Sequence, residues 1–220
     1  MKTLPAKRNI SGLTLVEVLV VICVSGVLVT LLLSSLTRVK PRRQIQCVAN
    51  QHQIALGLII FEMDHAGKLP TQVSITNGGS FELAATGSAS SLFQAFAPYL
   101  GRQPSLLICS TDTNRHAATN FSELKNANVS YFLNLDATTN ATSILTGDRY
   151  LEISGKPINS GVFLQTTNLQ LHWSDGFHSY LGKPMGGFSF ADGHAVLIKE
   201  AELNSVLQSQ PLATNRLCIP

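Results

Sequence analysis

Two hydrophobic patterns divide the chain. From Leu13 to Leu36 the sequence is apolar over 24 residues, with Glu17 as the one charge. As a helix that run is roughly 36 Å long, enough to cross a hydrocarbon core of about 30 Å with some tilt. A cleaved secretory signal would have a core of roughly 7–15 residues and a small-x-small site after it. Here Thr37-Arg38-Val39-Lys40 follows instead, so the run predicts a retained anchor. Pro41 then interrupts the helical pattern. It resumes from Arg42 to about Met63, with Ile45, Val48, Ala55 and Ile59 on one stripe and Gln46, Asn50 and Gln53 on another. The second half, Ile54 to Phe61, is apolar nearly all round, which implies burial on more than one side. Gly67 is placed for a C-cap, with Pro70 beyond it.

After a Ser/Thr/Gly/Asn-rich loop at 71–91, the pattern changes period. Ser90 to Tyr99 predicts a short helix capped by a serine. Short β-like runs follow at Ser105–Cys109, Val129–Leu133, Ser143–Gly147 and Val162–Leu164, with Leu151–Gly161 as loop. The strongest strand signal is Gly187 to Ile198. Asp192-Gly193 suits the centre of a type I′ turn, a register that pairs Phe190 with Ala195 and Phe188 with Leu197 on one apolar face. Glu200–Gln208 predicts a terminal helix, and Pro211–Pro220 an extended tail.

Charge changes the picture by its distribution. The formal net charge is +3 over 220 residues, but seven basic residues (Lys2, Lys7, Arg8, Arg38, Lys40, Arg42, Arg43) flank the apolar run. Of 16 Lys/Arg and 13 Asp/Glu, that leaves nine basic and twelve acidic residues from Gln44 onward, about −3. The basic balance is therefore not a nucleic-acid surface, and no nucleic-acid partner is expected. The four cysteines, Cys23, Cys47, Cys109 and Cys218, are too scattered for a zinc motif.

Glu17 is the position that asks for a function, because an ionised acid in hydrocarbon costs a few kcal/mol. The basic leader ending in Gly12, then Leu13-Thr14-Leu15-Val16-Glu17 and the long apolar run, resembles the signal of type IV pilins and type II secretion pseudopilins. The resemblance implies a cut by a prepilin peptidase between Gly12 and Leu13, methylation of the new amino terminus, and a helix that joins a helical filament. Glu17 is then the assembly residue, pairing with the terminal amine of a neighbouring subunit. Leu13 departs from the phenylalanine usual at that place. Cys47-Val-Ala-Asn50, Gly67-Lys-Leu-Pro70, Ile108-Cys109-Ser-Thr-Asp112, Ser130-Tyr131-Phe132, Gly147-Asp148-Arg149 and Phe190-Ala-Asp192-Gly193 resemble blocks of a bacterial pseudopilin-like group with a His–spacer–Asp-Gly element. The usual spacer there is nine residues, whereas thirteen separate His178 from Asp192. Placement of Cys47 and Cys109 in two of these blocks implies a disulfide between them.

The resemblance also sets the expected architecture: α+β, with a long N-terminal transmembrane helix continuing into a small antiparallel β-sheet domain. Residues 1–12 form the cleaved leader, 13–36 the transmembrane and assembly helix, 37–66 its amphipathic continuation and 67–220 the exported domain. The location is then the bacterial inner membrane, single-pass, with the N-terminus cytoplasmic and the domain periplasmic. Its partners are the prepilin peptidase, other subunits, an inner-membrane assembly platform and membrane lipid.

Among residues with metal-ligand chemistry, His172, His178, Asp192 and His194 form the one cluster, and His178, Asp192 and His194 are the candidate ligands. Their spacings match no zinc signature. Calcium on loop oxygens would draw on Asp148, Asp175 or Asp192. The pair in Gly147-Asp148-Arg149 reads as an ion pair or turn, and Trp173 as core or rim. No nucleophile elbow, phosphate loop or His-Glu-x-x-His helix occurs, so the expectation is a structural filament subunit and not an enzyme. The alternative is an anchored, exported metal- or ligand-binding domain.

Overall fold

The computed structural model describes residues 14–37, 43–175, 178–180 and 182–220, with the backbone alone at 31–37 and Tyr180. The chain divides into two units, residues 1–41 and 42–220. In the first, α1 (Leu15–Thr37) carries the apolar run, and its side chains from Leu15 to Thr30 are all exposed.

The expected transmembrane helix is corrected by this structure. Among the described residues no helix is long and apolar enough to cross a membrane. The expected continuation at 37–66 lies partly outside the described residues, at 38–42; beyond them α2 (Arg43–Asp64) belongs to the second unit. The single-pass inner-membrane location, with a cytoplasmic N-terminus and periplasmic domain, falls with the transmembrane helix.

The second unit is α+β and antiparallel throughout. Its main sheet runs β5 (Gly161–Thr166), β10 (Thr214–Ile219), β1 (Tyr131–Asn134), β2 (Ile144–Asp148), β8 (Lys183–Phe190) and β7 (His178–Tyr180), with β9 (Ala195–Lys199) also on β8. A small sheet holds β4 (Lys156–Pro157), β3 (Leu151–Ile153) and β6 (His172–Trp173). Two cores follow from strand alternation. One collects Ile54, Leu58 and Phe61 of α2, Phe93 of α3 (Ala89–Ala95), Phe96, Leu133 and Leu145. The other collects Phe132, Trp173, Phe188, Ile198 and Leu217 with Leu203 and Leu207 of α4 (Glu200–Gln208). Each large side chain so buried contributes about 1.5–3 kcal/mol.

Several local expectations shift for identifiable reasons. The buried stripe of α2 is Cys47, Gln51, Ile54, Ala55, Leu58 and Phe61. It is rotated from the expected one because a polar residue, Gln51, lies on it, and Ile45 is 61% exposed. Residues 105–109 begin in a 3-10 turn (Pro104–Leu107) instead of a strand, Pro104 being suited to the first turn position. Ser88, not Ser90, caps α3 by accepting the Ser91 N–H. The 151–161 segment holds the β3–β4 hairpin. The tail is ordered as β10, between β5 and β1.

The β8–β9 hairpin is displaced by one residue from the expected register. It pairs Phe188 with Val196 and Ser189 with Ala195. The loop is Ala191-Asp192-Gly193: Phe190 N–H donates to the His194 carbonyl at 3.0 Å and Gly193 N–H to the Phe190 carbonyl at 2.9 Å. Gly193, at φ +91°, supplies the positive φ that closes a three-residue loop. One face then carries Phe188, Phe190 and Ile198 into the core, and Ala195 and Leu197 point the other way.

Candidate functional site

The N-terminal signal is only partly within view. Gly12 and Leu13 lie outside the described residues. Thr14 and Glu17 form a reciprocal cap. The Glu17 carboxylate accepts from the Thr14 N–H at 2.7 Å and the Thr14 hydroxyl at 2.8 Å, while Glu17 N–H donates to Thr14 Oγ1 at 3.3 Å. That is a capping box, which satisfies helix N-terminal donors whatever else the acid does.

A second group of polar residues is sealed between α2 and the main sheet. Cys47 of α2 and Cys109 are joined in a disulfide. His178 of β7 is fully buried against it, with Nε2 at 3.3 Å from Cys109 Sγ and 3.4 Å from Asp148 Oδ2. Asp148, at the end of β2, is also fully buried. Its Oδ2 accepts from the Gly187 N–H at 2.6 Å and its Oδ1 from Gln51 Nε2 at 3.1 Å. Hydroxyls flank both sulfurs: Ser110 Oγ is 3.6 Å from Cys47 Sγ, and Thr111 Oγ1 is 3.0 Å from Cys109 Sγ.

Secondary structure sets these positions. Pairing of His178 with Met185 and of Gly147 with Phe188 brings β7 and β2 to the same side of β8. Gly187 leaves the room that Gln51 occupies, since a β-carbon there would stand 2.7 Å from Gln51 Nε2. Gln44 donates to the Ser179 carbonyl at 2.8 Å and Asn50 to the Ile108 carbonyl at 2.9 Å, which fixes α2 against β7 and the cysteine loop.

Of the expected ligands, only His178 is in this place. From its partner Met185, β8 runs five more residues to Phe190, roughly 16 Å at about 3.3 Å per residue, and Asp192 lies in the loop beyond it, so the set His178, Asp192, His194 is not brought together. Asp192 and His194 sit on the exposed hairpin loop and bond to each other, and the His194 ring stacks on Phe190 at 4.3 Å. The bond to His194 holds the Asp192 carboxyl below the usual carboxylate range. His172 pairs instead with Glu200 at 2.7 Å. The calcium candidates Asp148, Asp175 and Asp192 are not gathered either. The one group of three or more His, Cys, Asp or Glu positioned for a metal among the described residues is Cys47, Cys109 and His178, with donor atoms within 4.8 Å of one another. Trp173 is buried, its ring over Gly186.

A third group was legible only as separate blocks. Asp112, buried, accepts from Ser130 Oγ at 2.9 Å, Tyr150 OH at 2.7 Å and Arg149 Nε at 3.2 Å. Arg115 donates to the carbonyls of Asn126 and Val129 and to Pro220 O. Burial, and then the neighbouring Arg149 charge, lower the Arg115 pKa to about 10. Burial and the Asp112 hydrogen bond push Tyr150 up to about 12. All the carboxylate's donors come from the protein itself, so the group works as a structural clamp. No protein-family model, curated protein or solved structure matches this chain, and its residues alone carry the functional argument.

Proposed function

We propose that the chain is a filament subunit of pilin or pseudopilin type, cut by a prepilin peptidase after Gly12 and assembled through α1. The observation that carries this reading is the combination of a basic leader, Gly12, Leu13-Thr14 and Glu17 with an apolar helix whose described side chains are all exposed. Leu15, Val16, Val21 and Ile22 are each more than 60% exposed. Apolar surface on that scale calls for cover by a partner, and copies of the same helix would supply it. A cut after Gly12 would leave an ammonium at Leu13, four residues before Glu17. Glu17 gives a neighbouring subunit's ammonium an opposite charge to meet, a pairing that strengthens as helices close and water leaves.

Intact mass and N-terminal sequencing of the protein from its native cells test the processing. The mature chain starts at Leu13, the Gly12→Ala variant stays uncut, and a further ~14 Da reports methylation. A Met1 start in cells with an active peptidase would overturn the reading. Glu17→Gln is expected to be cut normally yet lost from sheared filaments, which separates assembly from processing.

A further inference from the structure

The sealed group beside α2 has a donor set that a disulfide alone does not use. We propose that its dithiol form is a zinc-class metal site, with the thiolates of Cys47 and Cys109, Nε2 of His178 and Oδ2 of Asp148 as ligands. Two of its spacings are those of a tetrahedral site. Nitrogen and oxygen ligands each about 2.0 Å from zinc stand roughly 3.3 Å apart, and a nitrogen–sulfur pair roughly 3.5 Å. His178 Nε2 lies 3.4 Å from Asp148 Oδ2 and 3.3 Å from Cys109 Sγ. The Cα atoms of the two cysteines are 4.8 Å apart. Rotation about one Cα–Cβ bond parts the sulfurs to the roughly 3.7 Å that two zinc-bound thiolates need.

The surroundings suit the same ion. Thr111 places a hydroxyl 3.0 Å from Cys109 Sγ, where it can donate to a thiolate, while Ser110 Oγ, beside Cys47 Sγ, donates to the Arg43 carbonyl. Thr111 Oγ1 also stands 3.5 Å from both ring nitrogens of His178. The Gly187 N–H and Gln51 amide hold the Asp148 carboxylate in place, the outer support that metal ligands require. Two sulfurs select a zinc-like ion over calcium or magnesium.

Disulfide and metal exclude each other, because bonded sulfurs carry no charge. A phosphine reductant passes two electrons from phosphorus to the S–S bond. It leaves as the oxide with the oxygen of one water, whose two hydrogens end on the two thiols. The metal ion then displaces both thiol protons to solvent. Which form prevails follows the redox state in which the chain folds.

The test uses the full chain, reduced with phosphine in denaturant, refolded without oxygen and titrated with cobalt(II) alone. The expected result is one equivalent bound, with thiolate-to-cobalt absorption in the near ultraviolet and the strong visible bands of tetrahedral cobalt, both removed by zinc. The disulfide form binds none. His178→Ala and Asp148→Asn, each first checked for native circular dichroism in the disulfide form, bind at least about 10-fold more weakly once reduced. If the reduced chain refolds only with metal, recovery at one equivalent supports the site, and failure to recover overturns it. A reduced, folded chain without cobalt absorption overturns it too, as does affinity unchanged by His178→Ala.

Discussion

Gly147 shows how tightly a single position is specified. It lies opposite Phe132 on one side and Phe188 on the other, and those rings meet edge-on at 5.9 Å. A β-carbon would overlap the Phe188 ring and stand 2.8 Å from that of Phe132. Neither ring has space to yield, so Gly147→Ala should lower stability by about 1–3 kcal/mol in denaturant unfolding; an unchanged midpoint would mean the sheet shifts freely there. Cys218 carries a pH signature. It is fully buried, and burial pushes its thiol up from 9.0 to about 11. A folded pKa raised above the unfolded value means stability is complete below pH 9 and is lost as pH rises toward 11. Between pH 9 and 10 the loss should approach about 1.4 kcal/mol per pH unit and vanish in Cys218→Ala. Native protein at pH 8 should also resist alkylation at this residue. Asp136 has the opposite sign. Burial raises its carboxyl, but the hydrogen bonds and charge of Arg216 outweigh that and hold it below the usual range. Its contribution is present at neutral pH and lost as pH falls through that depressed value.

At the scale of elements, the Asp112 clamp joins the 109–115 loop to β1 and β2, and Arg115 adds the end of β10 through Pro220. Removing this buried carboxylate takes an acceptor from the Arg149 guanidinium, the Tyr150 phenol and the Ser130 hydroxyl, and breaking such pairs costs about 3–5 kcal/mol. Asp112→Ala should therefore unfold at clearly lower urea, whereas Asp192→Ala, on the exposed hairpin loop, should shift the midpoint by less than about 0.5 kcal/mol. The contrast between these acids also shows what the sequence could convey. α4 was readable from its own composition, and its bounds, Glu200–Gln208, are those expected. The hairpin was readable too, but Asp-Gly serves both two- and three-residue loops, and the choice depends on how β8 and β9 pack. β10 was read as tail because its alternation is masked: Asn215 is buried, accepting from Asn134 at 3.3 Å and donating to Gln165 at 3.2 Å. A buried amide row across β1, β10 and β5 looks polar in sequence, and its amides reach one another only once the strands are paired. Cys109, Asp148 and His178 are likewise 69 and 30 residues from one another's partner, a distance no local spacing rule spans. His178 was singled out with Asp192 and His194 for its chemistry, and β7–β8 pairing gives it Asp148 and Cys109 instead.

At the scale of the whole chain, the hydrophobic cores and the exposed apolar helix lie in different segments. Every described residue of the two hydrophobic cores lies at or after Cys47, and the Cys47–Cys109 disulfide closes its loop of 62 positions inside the second unit. Closing a loop of that length restricts the unfolded chain by about 4 kcal/mol in the chain-entropy account, so paired Cys47→Ala and Cys109→Ala substitutions should lower stability by about 2–4 kcal/mol. The described residues of the first unit contribute none of that core and instead expose an apolar helix. A chain beginning at Arg43 should consequently keep the thermal midpoint of the full chain within about 2 °C, the shift expected from under ~1 kcal/mol in a domain of this size. The same truncation should abolish concentration-dependent association, because exposed apolar area is what drives it. Calorimetry and sedimentation of both chains at matched concentration read the two effects separately. A midpoint that drops steeply on truncation would make α1 part of the fold's support, and association that survives it would place the self-contact on the α+β unit instead.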